Sequence, residues 1–285
     1  MSIPTWINEE VNLTYKSYEE IPTGVFDAIN KRLDRLQRSN PVATILIAAY
    51  NEETNILRCI SSLSLMKTDL PIEIIVVDNN SKDNTQKTLG RLHIKSLFQP
   101  IQGCGPARQL GQENAKGKYI ILADADCLYP STYVDEIMKV LQKPGTACVY
   151  GRYSFIPEPR YPRWQLFMLE KMRDVIAAYR HLKRPYLNCL GISMGYVKEF
   201  GLRAGYITKN VRGDDGRLAF DMMQYGKIAA VKSSGASPWT GPRTLDRDGS
   251  FAQAITIRIV REIKRSYKML SKQKAHDTKT STNDD

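Results

Sequence analysis

The sequence contains no uncharged apolar run near the ~18 residues that a membrane-spanning helix requires. Its first ten residues, MSIPTWINEE, carry neither a basic cluster nor an apolar stretch, so they do not read as a secretion signal. Histidine is scarce: His93, His181 and His276 show no metal-binding spacing. The five cysteines, Cys59, Cys104, Cys127, Cys148 and Cys189, are odd in number and form no CxxC pair. That pattern argues against a disulfide frame or a zinc site and for reduced thiols in a cytosolic protein. There is no internal repeat. The expected location is the cytoplasm, with peripheral contact at the inner face of the membrane as the membrane-associated option.

What the chain has in excess is positive charge: net +11 over 285 residues, with a pI near 9.3. Such a balance suits nucleic acid, an anionic membrane face or phosphorylated substrates. The excess is concentrated between Arg258 and Lys274, where seven Lys and Arg stand against Glu262 alone. A charged tail is not the aromatic-interleaved groove of a nucleic-acid binder, so no nucleic-acid partner is expected. From Phe251 to Leu270 the residues Ala252, Ile255, Ile259, Ile263, Tyr267 and Leu270 fall on one helical face with cations elsewhere. This C-terminal amphipathic helix has two readings: an interfacial helix serving a lipid-linked acceptor, or a helix docked on its own chain or on a homodimer mate. The second is slightly favoured. The polar stretch after Lys272 reads as disordered.

Between these ends the texture is α/β. Pro41–Ala49, Ile72–Val77 and Tyr119–Ala123 are short apolar runs bounded by turn residues, as buried strands are. Helical patterns lie at Val25–Arg38, around Ile56–Leu63, at Thr85–Leu92 and at Gly105–Ala115. Strands alternating with helices predict right-handed βαβ crossovers and a mostly parallel sheet flanked by helices. Further on, Ala147–Tyr150 reads as a strand, Tyr161–His181 and part of Asn210–Gly226 as helices, Lys227–Val231 as the final strand, and Ser233–Ser250 as a loop. The expected division is an N-terminal extension (1–40), a main domain (41–245) and the basic helix with its tail (246–285). Within the main domain, 41–130 is the nucleotide-binding half and 131–245 the acceptor half.

The most informative stretch is Lys118-Tyr-Ile-Ile-Leu-Ala-Asp124-Ala-Asp126, a buried strand ending in two carboxylates. Open α/β sheets place ligands at the carboxyl ends of their strands. Carboxylates on alternate residues of an extended segment point the same way. One can ligate a hard divalent cation while the other accepts from a hydroxyl. Taken alone, an acidic turn after a strand is as good a reading.

Four motifs in order remove that ambiguity: Ala48-Ala-Tyr-Asn-Glu-Glu53, Val76-Val-Asp-Asn-Asn-Ser-Lys-Asp83, Ala107-Arg-Gln-Leu-Gly111 with Ala115-Lys-Gly117, and Ala123-Asp-Ala-Asp126. Gly213-Asp-Asp-Gly-Arg-Leu218 adds a fifth. Over roughly residues 42–245 the chain resembles the inverting glycosyltransferases of family 2, which have the GT-A fold. The resemblance implies a nucleotide-sugar site built from Ala48, Tyr50, Glu52, Asp78, Arg108, Asp124, Asp214 and Arg243. Tyr50 would flank the base, and Glu52 and Asp78 would accept from it. Asn79 stands where many relatives have a second aspartate, and an amide can serve similar bonds. Arg108 would face the donor and offset diphosphate charge. Asp124 would turn toward ribose, Asp126 would ligate Mg²⁺ or Mn²⁺, and Arg243 would close over the diphosphate. Asp215 would be the catalytic base, with Asp214 before it where the family often has glutamate. A helix N-cap is the structural alternative for either aspartate. Asn188–Gly195 would let backbone approach the sugar.

The activity this implies is metal-dependent transfer of one sugar, with inversion, from a nucleotide-diphosphate sugar, UDP-sugars favoured. The acceptor would be a hydroxyl in surface polysaccharide, glycolipid or lipid-linked oligosaccharide synthesis. The absence of Gln-x-x-Arg-Trp argues against a processive synthase. Two alternatives are a non-catalytic nucleotide- or glycan-binding module of the same fold and, less favoured, a sugar nucleotidyltransferase. The latter would need a Gly-rich basic loop after the first strand, where Ala48-Ala-Tyr-Asn-Glu-Glu stands.

Overall fold

The computed structural model describes residues 2–8, 13–208 and 213–246, together with 253, 256, 257 and 260. The described strands are β1 (Ala43–Ala49), β2 (Ile72–Asp78), β3 (Lys95–Phe98), β4 (Tyr119–Asp124), β5 (Cys127–Leu128), β6 (Thr146–Tyr150), β7 (Ser154–Phe155), β8 (Met194–Val197), β9 (Lys227–Ala230) and β10 (Trp239–Thr240). The described α-helices are α1 (Thr23–Leu36), α2 (Asn55–Ser64), α3 (Thr85–Gly90), α4 (Cys104–Asn114), α5 (Tyr133–Leu141), α6 (Arg163–His181), α7 (Lys198–Ala204), α8 (Asp214–Met222) and α9 (Arg243–Asp246).

The main sheet runs β3-β2-β1-β4-β8-β6-β9. Its first four strands pair in parallel, as βαβ crossovers require. β8 enters antiparallel between β4 and β6. A small second sheet, β5-β10-β7, lies beside it. The fold is thus α/β, with a mostly parallel central sheet flanked by helices.

Strand alternation divides the core in two. Ile45 and Ile47 of β1 face a cluster with α1, α2 and α5, whereas Leu46 faces a second cluster with Ala107 of α4 and Leu218 of α8. Each such fully buried aliphatic side chain stabilises the fold by about 1.5–3 kcal/mol. Phe26, Ile29, Leu33 and Leu36 form the apolar stripe of α1 and pack into the first cluster, so α1 shares the core of the sheet. A satellite cluster of Phe155, Tyr161, Leu166, Leu169 and Leu245 anchors α9 beneath α6.

Several sequence expectations change here. β9 is not the last strand, because Trp239–Thr240 pairs with β5 and β7 within the stretch read as loop. The same stretch also holds α9. Lys95–Phe98 is a strand that the sequence reading passed over; its alternation of half-buried and exposed residues marks an edge position. Of the segment 251–270, Gln253, Thr256, Ile257 and Val260 are helical and exposed. The apolar face expected there, and the tail after it, lie outside the described residues. All five cysteines are free thiols, and no described helix is long and apolar enough to cross a membrane.

Candidate active site

The central strand sets the first part of the site. Across β1, Ala48 is in register with Asp124 of β4 and Ala49 with Asp78 of β2. Two carboxylates therefore flank the carboxyl end of β1, where Tyr50 follows with 44% of its surface exposed. Asn51 then takes a positive φ of 54°, and its Oδ1 accepts from Lys82 N–H at 2.7 Å. Asp78 is buried, and its Oδ1 accepts from Ser81 N–H at 3.1 Å. The loops after β1 and β2 are thus tied together at the sheet edge.

Asn79 is used differently from the sequence expectation. Its Nδ2 donates to Ile101 O at 2.7 Å, and its Oδ1 accepts from Gly103 N–H at 2.7 Å. Both ends of the amide hold the loop that leads into α4, so it fixes where α4 begins and is not turned to a ligand.

Helix α4 carries Arg108 into the middle of the site. Arg108 is 5% exposed. Its Nη1 donates to Asp215 Oδ1 at 2.6 Å and lies 3.3 Å from Asp214 Oδ2, while its Nη2 donates to Asp124 Oδ1 at 3.2 Å. The second carboxylate oxygen of Asp215 accepts from Gly191 N–H at 2.8 Å. Gly191 stands so close that a Cβ there would lie 1.9 Å from Arg108 Nη2. The small-residue segment therefore makes room for the arginine. Asp214 and Asp215 open α8 after Gly213, whose φ of 87° suits glycine. At a helix N-terminus, two carboxylates meet the positive end of the macrodipole.

One guanidinium cannot neutralise three carboxylates. Burial pushes Asp215 up to about 7; Arg108 opposes that rise, and the charges of Asp214 and Asp124 add to it. Burial pulls the Arg108 guanidinium down, but Asp215 and Asp214 outweigh this and hold it well above its ordinary value. The arginine stays charged, and the cluster holds a carboxyl poised near neutrality.

A second charged group lies alongside. Arg243 Nη2 donates to Asp126 Oδ2 at 2.8 Å and to Glu52 Oε1 at 3.0 Å. Glu52 Oε2 accepts from Asn55 Nδ2 at 2.6 Å. Burial raises Glu52, while Asn55 and Arg243 pull it down. β4 stops at Asp124, and Asp126 sits in the following turn. The two aspartates therefore do not behave as alternate residues of one extended strand: Asp124 goes to Arg108 and Asp126 to Arg243.

Asp126 and Glu52 already share a cation, the Arg243 guanidinium, so the spot suits positive charge. Among the described residues no three His, Cys, Asp or Glu side chains form a metal cage. The donor set fits a hard divalent ion that shares its sphere with phosphate oxygens.

The structure thus brings Ala48, Tyr50, Asp78 and Asp124 to one sheet edge, and Glu52, Asp126 and Arg243 to one ion-paired group. Arg108 and Asp214 differ from expectation: both are buried in the carboxylate cluster, where unpaired charges would be costly, and do not face open space. The hub role of Arg108 was not read from sequence. Its one local signal is the small residues around it: Gly111 lets α4 lie close on Leu46 of β1, and Gly105 makes room for the Ile207 carbonyl.

The model of the family described as glycosyl transferase family 2 matches residues 44–201. An uncharacterized glycosyltransferase of Rickettsia bellii is 31% identical over 129 residues, a match covering 43% of this chain and 19% of that protein. Among solved structures, a mannosyltransferase of Pyrobaculum calidifontis in complex with GDP-Man and Mn²⁺ matches with a TM-score of 0.53 at 18% identity. That match covers 85% of this chain and 72% of the other. Glucosyl-3-phosphoglycerate synthase of Mycobacterium tuberculosis, in complex with Mn²⁺, UDP-glucose and phosphoglyceric acid, matches with a TM-score of 0.52 at 19% identity, covering 83% and 82%.

Proposed function

This chain belongs to glycosyl transferase family 2 and has the GT-A fold, and on that premise we propose that it transfers one sugar, with inversion, from a nucleotide-diphosphate sugar to an acceptor hydroxyl. The observation that carries this reading is Asp215, a carboxylate raised to about 7 and held on both oxygens by Arg108 and Gly191. A base with such a value can take a proton near neutral pH, a contribution of about 10²–10⁴-fold. As the acceptor oxygen bonds to the anomeric carbon, its proton passes to Asp215 and the nucleotide diphosphate departs from the opposite face.

The other residues divide the donor between them. Tyr50 flanks the base, Ala48 leaves room beside it, and Asp78 and Glu52 accept from it. Asp124 takes ribose hydroxyls. Asp214 and Arg108 keep Asp215 in place. Asp126 is the proposed ligand of Mg²⁺ or Mn²⁺, which when bound offsets the charge of the departing diphosphate. Arg243, then free of Asp126, turns to the diphosphate. UDP-sugars are the favoured donors. The synthesis of surface polysaccharide, glycolipid or lipid-linked oligosaccharide is the proposed setting, at the cytoplasmic side of a membrane. The division into 41–130 and 131–245 follows this split of donor and acceptor. A panel of nucleotide sugars scored for Mn²⁺-dependent hydrolysis tests the reading without an acceptor. Transfer by Asp215→Asn at the unaltered rate would sink the base assignment.

A further inference from the structure

A cavity of about 490 Å³ lies on the acceptor side, away from Tyr50, Asp78 and Asp126. Its walls come from α6, the end of β6, the turn at 185–190, the start of α8 and the end of β9. It closes on both flanks of Asp215: Gly213 and Gly216 are neighbours on the same helix, and Cys189 and Leu190 precede the Gly191 that bonds to it. The volume is in the range of small-molecule sites.

The chemistry of the walls is one-sided. Arg152, Arg173, Arg180 and Lys232 line the cavity, and Asp174 is the one carboxylate among the described lining residues. Asp174 draws two of the cations together: its Oδ2 lies 3.4 Å from Arg152 Nη1, and its Oδ1 accepts from Arg173 Nη2 at 3.1 Å. The Arg173 guanidinium rests over the Tyr153 ring at 4.0 Å, and its buried Nη1 has no hydrogen-bond partner. A single carboxylate among the described lining residues leaves Arg152, Arg173 and Lys232 in net positive excess, with one buried donor of Arg173 unmet. Such a set matches a phosphate, whose oxygens accept paired N–H bonds from arginine.

We infer that the acceptor is a phosphate-bearing polyol, its phosphate seated among Arg152, Arg173 and Lys232 and its hydroxyl directed toward Asp215. The inference rests on the glycosyltransferase reading for the reaction, but not for the anion site. The phosphate anchors and does not react: the acceptor hydroxyl oxygen bonds to the anomeric carbon, its proton goes to Asp215, and the donor's sugar–phosphate bond breaks. A soluble polyol phosphate and a phospholipid headgroup share this chemistry.

The anion site is tested with inorganic phosphate alone, by ³¹P NMR or calorimetry on the full chain. Wild type should bind it, and Arg152→Gln and Lys232→Gln should each weaken binding about tenfold or more. Binding that is absent in wild type, or equal in the variants, overturns the inference whatever the enzyme does. Acceptor use is tested with hexose 6-phosphates against the free hexoses, and with phosphatidylinositol vesicles as the lipid arm. The expected result is a preference of about a hundredfold in kcat/KM for one phosphorylated class, falling toward parity in the Arg152→Gln, Lys232→Gln double variant. Equal use of neutral and phosphorylated acceptors overturns it. If no nucleotide sugar is hydrolysed while phosphate still binds and the variants weaken it, the transferase reading fails and the anion site stands.

Discussion

Arg108 Nη1 lies 2.6 Å from Asp215 Oδ1, although the two residues stand 107 positions apart in the sequence. The contact joins the helix that precedes the Asp124 strand to the helix that carries the proposed base.

Removing Arg108 leaves Asp124, Asp214 and Asp215 without their shared cation. Breaking a buried ion pair from one side costs about 3–5 kcal/mol. Arg108→Met should lower the urea midpoint accordingly. Arg108→Lys should recover part of that stability but little activity, because one ammonium cannot hold the fork geometry. Full activity in Arg108→Lys would show that the fork is not needed.

The rate of transfer should rise with pH along an acid limb near 7, because the base must be ionised and burial holds Asp215 up to about 7. In Arg108→Lys the limb should move to higher pH, since the opposing cation is weakened. Stability has the opposite sign. Between about 4, the ordinary aspartate value, and about 7, the native protein binds a proton at Asp215 that the unfolded chain has released. This group's contribution to stability therefore falls as pH rises through that window. Paired pH–rate and pH–denaturation profiles check both.

Arg243 occupies Asp126 and Glu52, so it competes with a divalent cation. Mn²⁺ should bind the nucleotide-free protein more tightly in Arg243→Ala than in wild type, by severalfold in an electron paramagnetic resonance titration. Asp126→Ala should abolish Mn²⁺-dependent donor hydrolysis. Weaker Mn²⁺ binding in Arg243→Ala would mean that the arginine supports the metal instead of standing in its place.

Gly191→Ala would put a methyl 1.9 Å from Arg108 Nη2. A flexible arginine could step aside, but this one is held by three carboxylates. The expected cost is about 1–3 kcal/mol of overpacking, with loss of transfer as Asp215 is displaced. Thermal unfolding and acceptor turnover measure the two effects separately.

The strands β1, β2 and β4 were legible in the sequence because burial on both faces writes an unbroken apolar run. β8 was legible only in part: Leu187–Gly195 reads as a small-residue loop or short strand, and the antiparallel pairing of Met194–Val197 depends on neighbours 74 or more residues before it in β4. The acidic motifs announced where carboxylates stand but not their cation. Arg108 meets Asp124 from 16 residues away and Asp214 from 106, and local pattern carries no record of the longer link. The cationic cavity was equally hidden, since Arg173 lies on α6 and Arg152 and Lys232 on the loops after β6 and β9, and each alone reads as a surface charge.

β8 is hydrogen-bonded to β4 on one side and to β6 on the other. Residues 41–130 and 131–245 are therefore stitched into a single ladder, with no break between them among the described strands. Gating of the site then falls to chain outside that ladder. Between Ser233 and Asp246 the chain is held by β10 and by the buried Ala236, Trp239 and Leu245, and it carries Arg243 onto Asp126. What remains free to move is the exposed Arg243 side chain, so access to Asp126 would turn on one guanidinium and not on the swing of a domain.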